Sequence, residues 1–390
     1  MKIILFTHPP FITSMSMPKY ANWLRKGMEK REFEVEEWTA SPVFSDYKVS
    51  TTLKKWLGYI DQYIIFPKWV KRKLKEQDPN ILYVFTDHAL GPWVPLVKGY
   101  KHVIHCHDFL AQKSALGLIP ENLTGRTGKI YQNYIRRGYR RGMNFIAISK
   151  KTKADLLAFL EYPKDRRVEV VYNGLNQPFL PNNDLHGIRI QLSQNTGIAL
   201  ENGYLLHVGG NQWYKNRLGV VRLYDAWRLQ TKENLPLLLI GPQPNNILRN
   251  EWDASKYRED IHFLTDKPDE FVRQVYAGAS LFLFPSLAEG FGWPIAEAMA
   301  SGCLVLTTDE APMTEVGGDA AFYFSRMPRS NEERSRWEKK VAELIDKVLT
   351  LSETEKGDCI SKGLEQVKLF DSNQALDRIA TIYREIINKP

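Results

Sequence analysis

The chain has 390 residues, 43% of them hydrophobic and 25% charged, an ordinary composition for a soluble globular protein and a length too great for one comfortable core, so two domains are expected. The net charge of +8 is carried by residues 1–180, which hold 29 Lys and Arg against 16 Asp and Glu, whereas residues 181–390 hold 24 against 29; no nucleic-acid-binding motif accompanies the excess, so nucleic acid is not the expected partner. No apolar run approaches the ~18 residues of a membrane-spanning helix, Met1 to Phe6 reads as a strand rather than a signal peptide, and Cys106, Cys303 and Cys359, odd in number and without CxxC spacing, argue against a disulfide framework or a cysteine-held metal.

In the first half, apolar runs of strand type occur at residues 2–7, 80–86, 101–106, 144–149 and 169–172, separated by stretches long enough for helices. That alternation predicts a parallel, doubly wound α/β sheet. The loop His8 to Pro18 that follows the first run is apolar and proline-rich. Between Lys54 and Lys75 the aromatics Trp56, Tyr59, Tyr63, Phe66 and Trp69 are interleaved with lysines and Arg72, and a second basic cluster runs from Arg136 to Arg141. Aromatic side chains among cations suit either a solvated face or contact with an anionic bilayer. Asn122-Leu-Thr124 fits a glycosylation sequon, without consequence in a cytoplasmic chain.

Residues 177–200, with Pro178, Pro181 and the pair Asn182-Asn183, interrupt the pattern and read as a connection between domains. The boundaries expected are 1–178, with a last helix at about 370–390, for one Rossmann-like domain; 179–200 for the linker; and 201–369 for the other. Strand-like runs resume at 204–208, 237–240, 261–264, 281–284, 304–307 and 321–324, and residues 372–388 show helical spacing at Leu376, Ile379, Ile382, Tyr383 and Ile386.

The stretch from Phe284 to Gly302 carries the most chemistry. A strand runs into a loop where Gly290 and Gly292 let the backbone close around a ligand, and Pro294 suits a helix start. Backbone N–H groups at Gly290 to Trp293 and the positive end of the helix dipole favour a phosphate. Glu289 on the loop and Glu297, expected in the first helical turn, add acceptors for hydroxyls. Each carboxylate alone also reads as a cap or a solvated charge; the fixed arrangement favours a ligand that carries phosphate and hydroxyls together.

With its spacing and the trailing Ala-Met-Ala-Ser-Gly302, the sequence Glu289-Gly-Phe-Gly-Trp-Pro-Ile-Ala-Glu297 resembles the signature of the family-4 retaining glycosyltransferases. The resemblance extends through Phe145 to Ser149, the Asn173-Gly174 turn, His207-Val-Gly209-Gly210 leading to Lys215-Asn216, and Tyr276 to Ser280. It implies the GT-B fold, two Rossmann-like domains facing across a cleft, with the final helix returning to the N-terminal domain. It implies a nucleotide-sugar donor, GDP- or UDP-linked, and no cofactor or metal. Lys215 would meet the diphosphate, Glu297 the ribose, Glu289 the donor-sugar hydroxyls, and the N–H groups of Phe291 and Gly292 the sugar or its phosphate. Gly210 and Asn211 would line the same loop, and Gly241, Pro242 and residues 263–265 the base pocket. His107, paired with Asp108, resembles the family's histidine facing the donor sugar, while His88, His102 and His105 stay unassigned.

Where many members place an arginine before the lysine, this chain has Tyr214, so charge neutralisation rests on Lys215 alone or on Arg217 reaching back. No carboxylate suits a double displacement, and the expected mechanism is front-face retention, in which the departing diphosphate helps take the acceptor proton. The loop from His8 stands where acceptor-facing loops of that fold begin, and its apolar character suits a lipid-linked saccharide as well as ordinary packing. The reading is a hexosyltransferase acting on a polysaccharide or lipid-linked acceptor at the inner membrane face; the competing reading is a non-catalytic sugar-nucleotide sensor. A nicotinamide dehydrogenase is excluded because Thr7-His8-Pro9-Pro10 cannot replace the Gly-x-Gly-x-x-Gly turn.

Overall fold

The computed structural model describes residues 1–12, 16–48, 50–175 and 177–389, so Thr13, Ser14 and Met15 of the His8 to Pro18 loop lie outside the described residues. The chain divides into two compact units, one formed by Met1–Asn176 with Ser372–Pro390 and the other by Gln177–Asp371.

The first unit is built on β1 (Lys2–Phe6), β2 (Glu34–Trp38), β3 (Leu82–Phe85), β4 (His102–Cys106), β5 (Asn144–Ala147) and β6 (Arg167–Val170). Their order across the sheet is β2-β1-β3-β4-β5-β6, all pairs parallel. The alternation of side chains along β1 sends Ile4 and Phe6 into one core and Ile3 and Leu5 into another, which is why a strand covered on both faces reads as an unbroken apolar run. Phe6 stacks on Phe85 at 4.6 Å between ring centroids and meets Trp38 edge-on at 5.7 Å. β2 had no apolar signature because it is an edge strand, with Lys2 paired across it to Glu36 at 2.9 Å.

The opposite face of this sheet is covered by the Ser16–Glu29 helix and by the last helix, Ser372–Asn388. Leu376, Ile379, Ile382, Tyr383 and Ile386 are all buried, as their helical spacing predicts. His105, fully buried in β4, ties both helices to the sheet: its Nδ1 lies 2.7 Å from the Tyr20 hydroxyl and its Nε2 2.6 Å from the Tyr383 hydroxyl.

The second unit repeats the plan with β7 (Leu205–Val208), β8 (Leu237–Ile240), β9 (Ile261–Leu264), β10 (Leu281–Phe284), β11 (Val305–Thr308) and β12 (Phe322–Phe324), in the order β12-β11-β10-β7-β8-β9 and again parallel. The six strands fall on the six apolar runs read from the sequence. Residues 179–200, expected as a connection, instead hold the Leu185–Thr196 helix, capped by the Asp184 carboxylate on the Gly187 N–H and closed by the left-handed Gly197. Only Ile188, Leu192 and Ser193 of that helix are buried, so its apolar stripe was too short to stand out.

In the first unit the His88–Val97 segment and the Arg126–Tyr139 helix meet backbone to backbone: a Cβ on Gly138 would lie 2.0 Å from the Gly91 carbonyl oxygen, and one on Gly91 would lie 2.3 Å from that of Ile135. Gly138→Ala is therefore expected to cost about 1–3 kcal/mol through overpacking, read as a lower thermal midpoint. Gly357→Ala, in a helix with open space around the glycine, should raise the midpoint by the ordinary helix preference of alanine, about 0.5–1 kcal/mol.

Candidate active site

Parallel strands deliver their following loops to one edge of a sheet, and in the second unit the loops after β7, β8 and β10 bring the predicted residues together. The loop after β10 runs from Pro285 to Gly292, whose φ of +108° is the left-handed conformation that favours glycine, and the Trp293–Ala300 helix begins immediately after it. Phe291 is buried and its ring meets Trp293 at 5.4 Å and Phe370 at 5.3 Å, so the turn is anchored by an aromatic side chain.

The loop after β7 ends in a short turn, Trp213–Lys215, followed by Asn216 in the left-handed region at φ +50°. Asn216 caps the Arg217–Arg228 helix by accepting from the Gly219 N–H at 3.1 Å and donates to the Pro285 carbonyl at 2.9 Å. The Leu287 N–H and the Ser286 hydroxyl both donate to the Tyr214 carbonyl, at 2.7 and 2.8 Å. These bonds stitch the two loops together and set the position of Lys215.

Lys215 is consequently no solvated helix-start lysine. Its Nζ donates to Glu289 Oε1 at 2.8 Å, with side chains only 15% and 8% exposed, and sits 5.1 Å above the centre of the Phe284 ring. The same Glu289 oxygen accepts from the Ser286 hydroxyl at 2.7 Å. Removing one member of so enclosed a pair leaves the charge of the other uncompensated.

Glu297 lies a full turn inside its helix rather than in the first turn, because the helix begins at Trp293. A capping role is thereby removed. Its Oε2 accepts from the Tyr276 hydroxyl at 2.9 Å. Burial raises its pKa to about 7, against the lowering effects of the Tyr276 hydrogen bond and of Lys215 and with a small further push from Asp269.

Arg217 does not reach back toward Lys215. It is 3% exposed and its Nη1 donates to Asn211 Oδ1 at 2.6 Å and to the Pro242 carbonyl at 2.8 Å, with the guanidinium 5.4 Å from the Phe263 ring centre. Burial lowers its pKa to about 10. It holds the loops after β7 and β8 in place, and Asn211 extends the brace by donating to the Gln243 carbonyl at 2.6 Å. The two loops approach closely at Gly241, whose φ is +150° and where a Cβ would lie 2.2 Å from the Gly209 carbonyl oxygen. Gly210 belongs to the same turn, beside the Gln212 side chain.

His107 lies in the first unit, just beyond β4. Its Nε2 is 2.9 Å from the Thr86 carbonyl, the ring meets Tyr20 edge-on at 4.4 Å, and burial lowers its pKa, so the imidazole is neutral. Of the unassigned histidines, His105 is locked between two tyrosines with its pKa driven by burial to about 3, and His102 bonds the Tyr100 carbonyl and the Met143 N–H. Sequence reading missed Tyr276, Ser286 and Asp87 as polar partners. Asp87 directly follows the strand-like run 80–86, a strand-end position that could have marked it.

Glu297 generates a pH test. Its folded pKa is raised from 4.5 to about 7, so the native state keeps a proton that the unfolded state releases, and stability falls as pH rises through that window. Glu297→Gln, which can still accept from Tyr276, should melt higher than the parent at pH 8, by on the order of 3 °C, and the gain should vanish at pH 4.

Residues 20–177 match the family model Glycosyltransferase Family 4, and residues 202–349 match Glycosyl transferases group 1. Among curated relatives, the O-antigen chain mannosyltransferase B of Escherichia coli is 28% identical over 177 residues, 45% of each chain. The serotype-specific mannosyltransferase WbdA of the same organism is 26% identical over 258 residues, 63% of this chain and 31% of the relative. The chain thus spans less than half the length of these relatives. Among solved structures, Anabaena HepE in complex with UDP and glucose superposes with a TM-score of 0.72 at 16% identity, covering 99% of this chain and 100% of the other. WaaG, a glycosyltransferase involved in lipopolysaccharide biosynthesis, gives 0.69 at 16% identity, covering 97% and 99%.

Proposed function

We propose, from the premise that the chain belongs to the family-4, group 1 glycosyltransferases and has their GT-B fold, that it moves a hexose, mannose in the first instance, from a nucleotide-sugar to a saccharide acceptor with retention of configuration. The observation that carries this reading is the enclosed Lys215–Glu289 pair beside Glu297. A cation and two carboxylates at the carboxyl ends of β7 and β10 match a ligand with a diphosphate at one end and hydroxyls at the other. The mannosyltransferase relatives support the choice of sugar.

In this reading Lys215 exchanges Glu289 for the donor diphosphate and stabilises the charge that develops there as the sugar departs. Glu289, released from Lys215, accepts donor-sugar hydroxyls, and Glu297 accepts ribose hydroxyls. The backbone at Gly290, Phe291 and Gly292 faces the sugar or its phosphate. Gly210, Asn211 and Gly241 line the donor loops, and Arg217 keeps them in register instead of neutralising the diphosphate. His107 offers its neutral ring to a donor-sugar hydroxyl. Retention follows a front-face path: the leaving diphosphate takes the acceptor proton on the side from which it departs, and the protein contributes position and charge. Lys215 and the helix start supply that charge without a metal, and no other cofactor has a part in this scheme.

Thermal shift against GDP-, UDP- and dTDP-sugars tests the donor. A donor at about one hundred times its dissociation constant stabilises the fold by ~2.7 kcal/mol, and the shift should disappear in Glu297→Ala; a full shift in that variant removes Glu297 from the ribose. Nucleoside diphosphate release on adding an acceptor separates an enzyme from a sensor, and Lys215→Ala should slow it by about 10²- to 10³-fold.

The acceptor proposed is a polysaccharide or a lipid-linked saccharide reached at the cytoplasmic face of an anionic membrane. Among the described residues no helix is long and apolar enough to cross a membrane, so contact would be peripheral. The segment from Thr51 to Lys73 forms helix, π-turn and helix in succession. It turns Phe66 and Val70 into the core and leaves Trp56 and Ile64 exposed, with Ile130 and Tyr134 also exposed on the Arg126–Tyr139 helix. The Tyr63–Tyr131 hydroxyl contact at 2.7 Å joins the two elements, and Lys54, Lys55, Lys68, Lys71 and Lys129 are exposed on them. Arg140 is not available to lipid, being bound to the Phe159 carbonyl and Glu161. Flotation with phosphatidylglycerol vesicles should show binding at low salt that weakens at high salt and in Trp56→Ser; no binding at low salt refutes the membrane contact.

A further inference from the structure

Two imidazoles in the first unit are held by one dipeptide. β3 lies between β1 and β4 in the sheet, and Thr86-Asp87 leaves its carboxyl end. The Thr86 carbonyl takes His107 Nε2 at 2.9 Å from the β4 side, and Asp87 Oδ2 takes His8 Nε2 at 3.0 Å from the β1 side. Asp87 also accepts from the Ala89 N–H at 3.2 Å and has the His88 ring 2.9 Å from Oδ1. It is 7% exposed. Burial alone would raise its pKa, but the His88 and His8 rings beside it hold it well below the usual carboxylate range.

An ionised carboxylate has only acceptors, so the His8 nitrogen facing Asp87 must carry the proton, and Nδ1 then holds the free lone pair. No described residue hydrogen-bonds to that Nδ1, and the His8 side chain remains 14% exposed. The neutral form of His8 is therefore confined to one tautomer with one acceptor nitrogen left for a ligand, an arrangement that suits a hydroxyl donor. A purely structural histidine such as His105 instead has both nitrogens occupied.

We propose that His8 binds the attacking hydroxyl of the saccharide acceptor through Nδ1 and that Asp87 is the positioning residue that sets its tautomer. The identity of the ligand rests on the glycosyl-transfer reading above; the tautomer does not. The hydroxyl donates its hydrogen to Nδ1, which leaves its oxygen lone pairs free for bond formation, and in the front-face path the proton leaves finally on the diphosphate. Charged and titratable groups around the pair are His88, His107, Asp108, Tyr20, Tyr131 and Cys106.

The experiment has two readouts on the full chain. Nitrogen-15 spectra of the histidine rings should show neutral His8 in the Nε2–H form in the parent and as a mixture in Asp87→Asn; an Nδ1–H form or a ring that stays doubly protonated in the parent overturns the proposal. Transfer from GDP-mannose to methyl α-D-mannopyranoside is followed as GDP release. In His8→Gln and Asp87→Asn the acceptor KM should rise and kcat/KM should fall by about 10²-fold, while the donor-induced thermal shift stays unchanged. An unaltered acceptor KM in His8→Gln overturns the assignment of His8 while leaving glycosyl transfer intact. A parent protein with no donor-induced shift overturns the functional reading instead, and the ring spectra then still judge the dyad.

Discussion

Strand direction is the constraint on which the rest of the structure depends. Every pairing in both sheets is parallel, so each crossover must return through a helix and each strand must end at the same edge. Within the second unit this places the loop of Asn211 and Lys215 beside those of Gly241 and Glu289 although dozens of residues separate the three loops in the chain. Within the first it brings His8, Asp87 and His107 to consecutive strand ends. The covered faces of each sheet are packed mainly with aliphatic and aromatic side chains.

Charge at the second unit's edge is arranged with little solvent to moderate it. Lys215 and Glu289 satisfy each other at 2.8 Å, and Glu297 nearby has its pKa raised to about 7. Such a site holds its polar groups in readiness at the cost of their hydration. Arg217 shows the other use of a buried charge. It braces two loops, and its side chain is directed at Asn211 and Pro242 rather than at the ion pair. The position following the lysine motif thus changes meaning once its helix is in place, because the first residue of the Arg217–Arg228 helix projects toward β8.

Much of this was legible from residue order. Among the described residues the apolar runs located eleven of the twelve strands, and β2 escaped notice because three of its five residues are glutamates. The glycine turn before Trp293 was legible because few residue combinations permit it. The Leu185–Thr196 helix was hidden by its polar composition, and Glu297 was placed one turn too early because Pro294 marks a helix start only to within a residue or two. Asp87 was not singled out because an aspartate at a strand end is also an ordinary cap, and its pairing with His8 depends on the arrival of another strand.

Residue order was enough for the period and order of the elements, the glycines that let loops bend, and the inventory of cations, carboxylates and imidazoles at strand ends, because these follow from local sterics and from which side chains avoid water. Tertiary structure alone decided the pairings: Lys215 with Glu289, Arg217 with Asn211, His105 with Tyr20 and Tyr383, and His8 with Asp87. Hydrogen bonds and ion pairs act over a few ångströms, and which groups come that close is set by how distant segments pack, which no local pattern records.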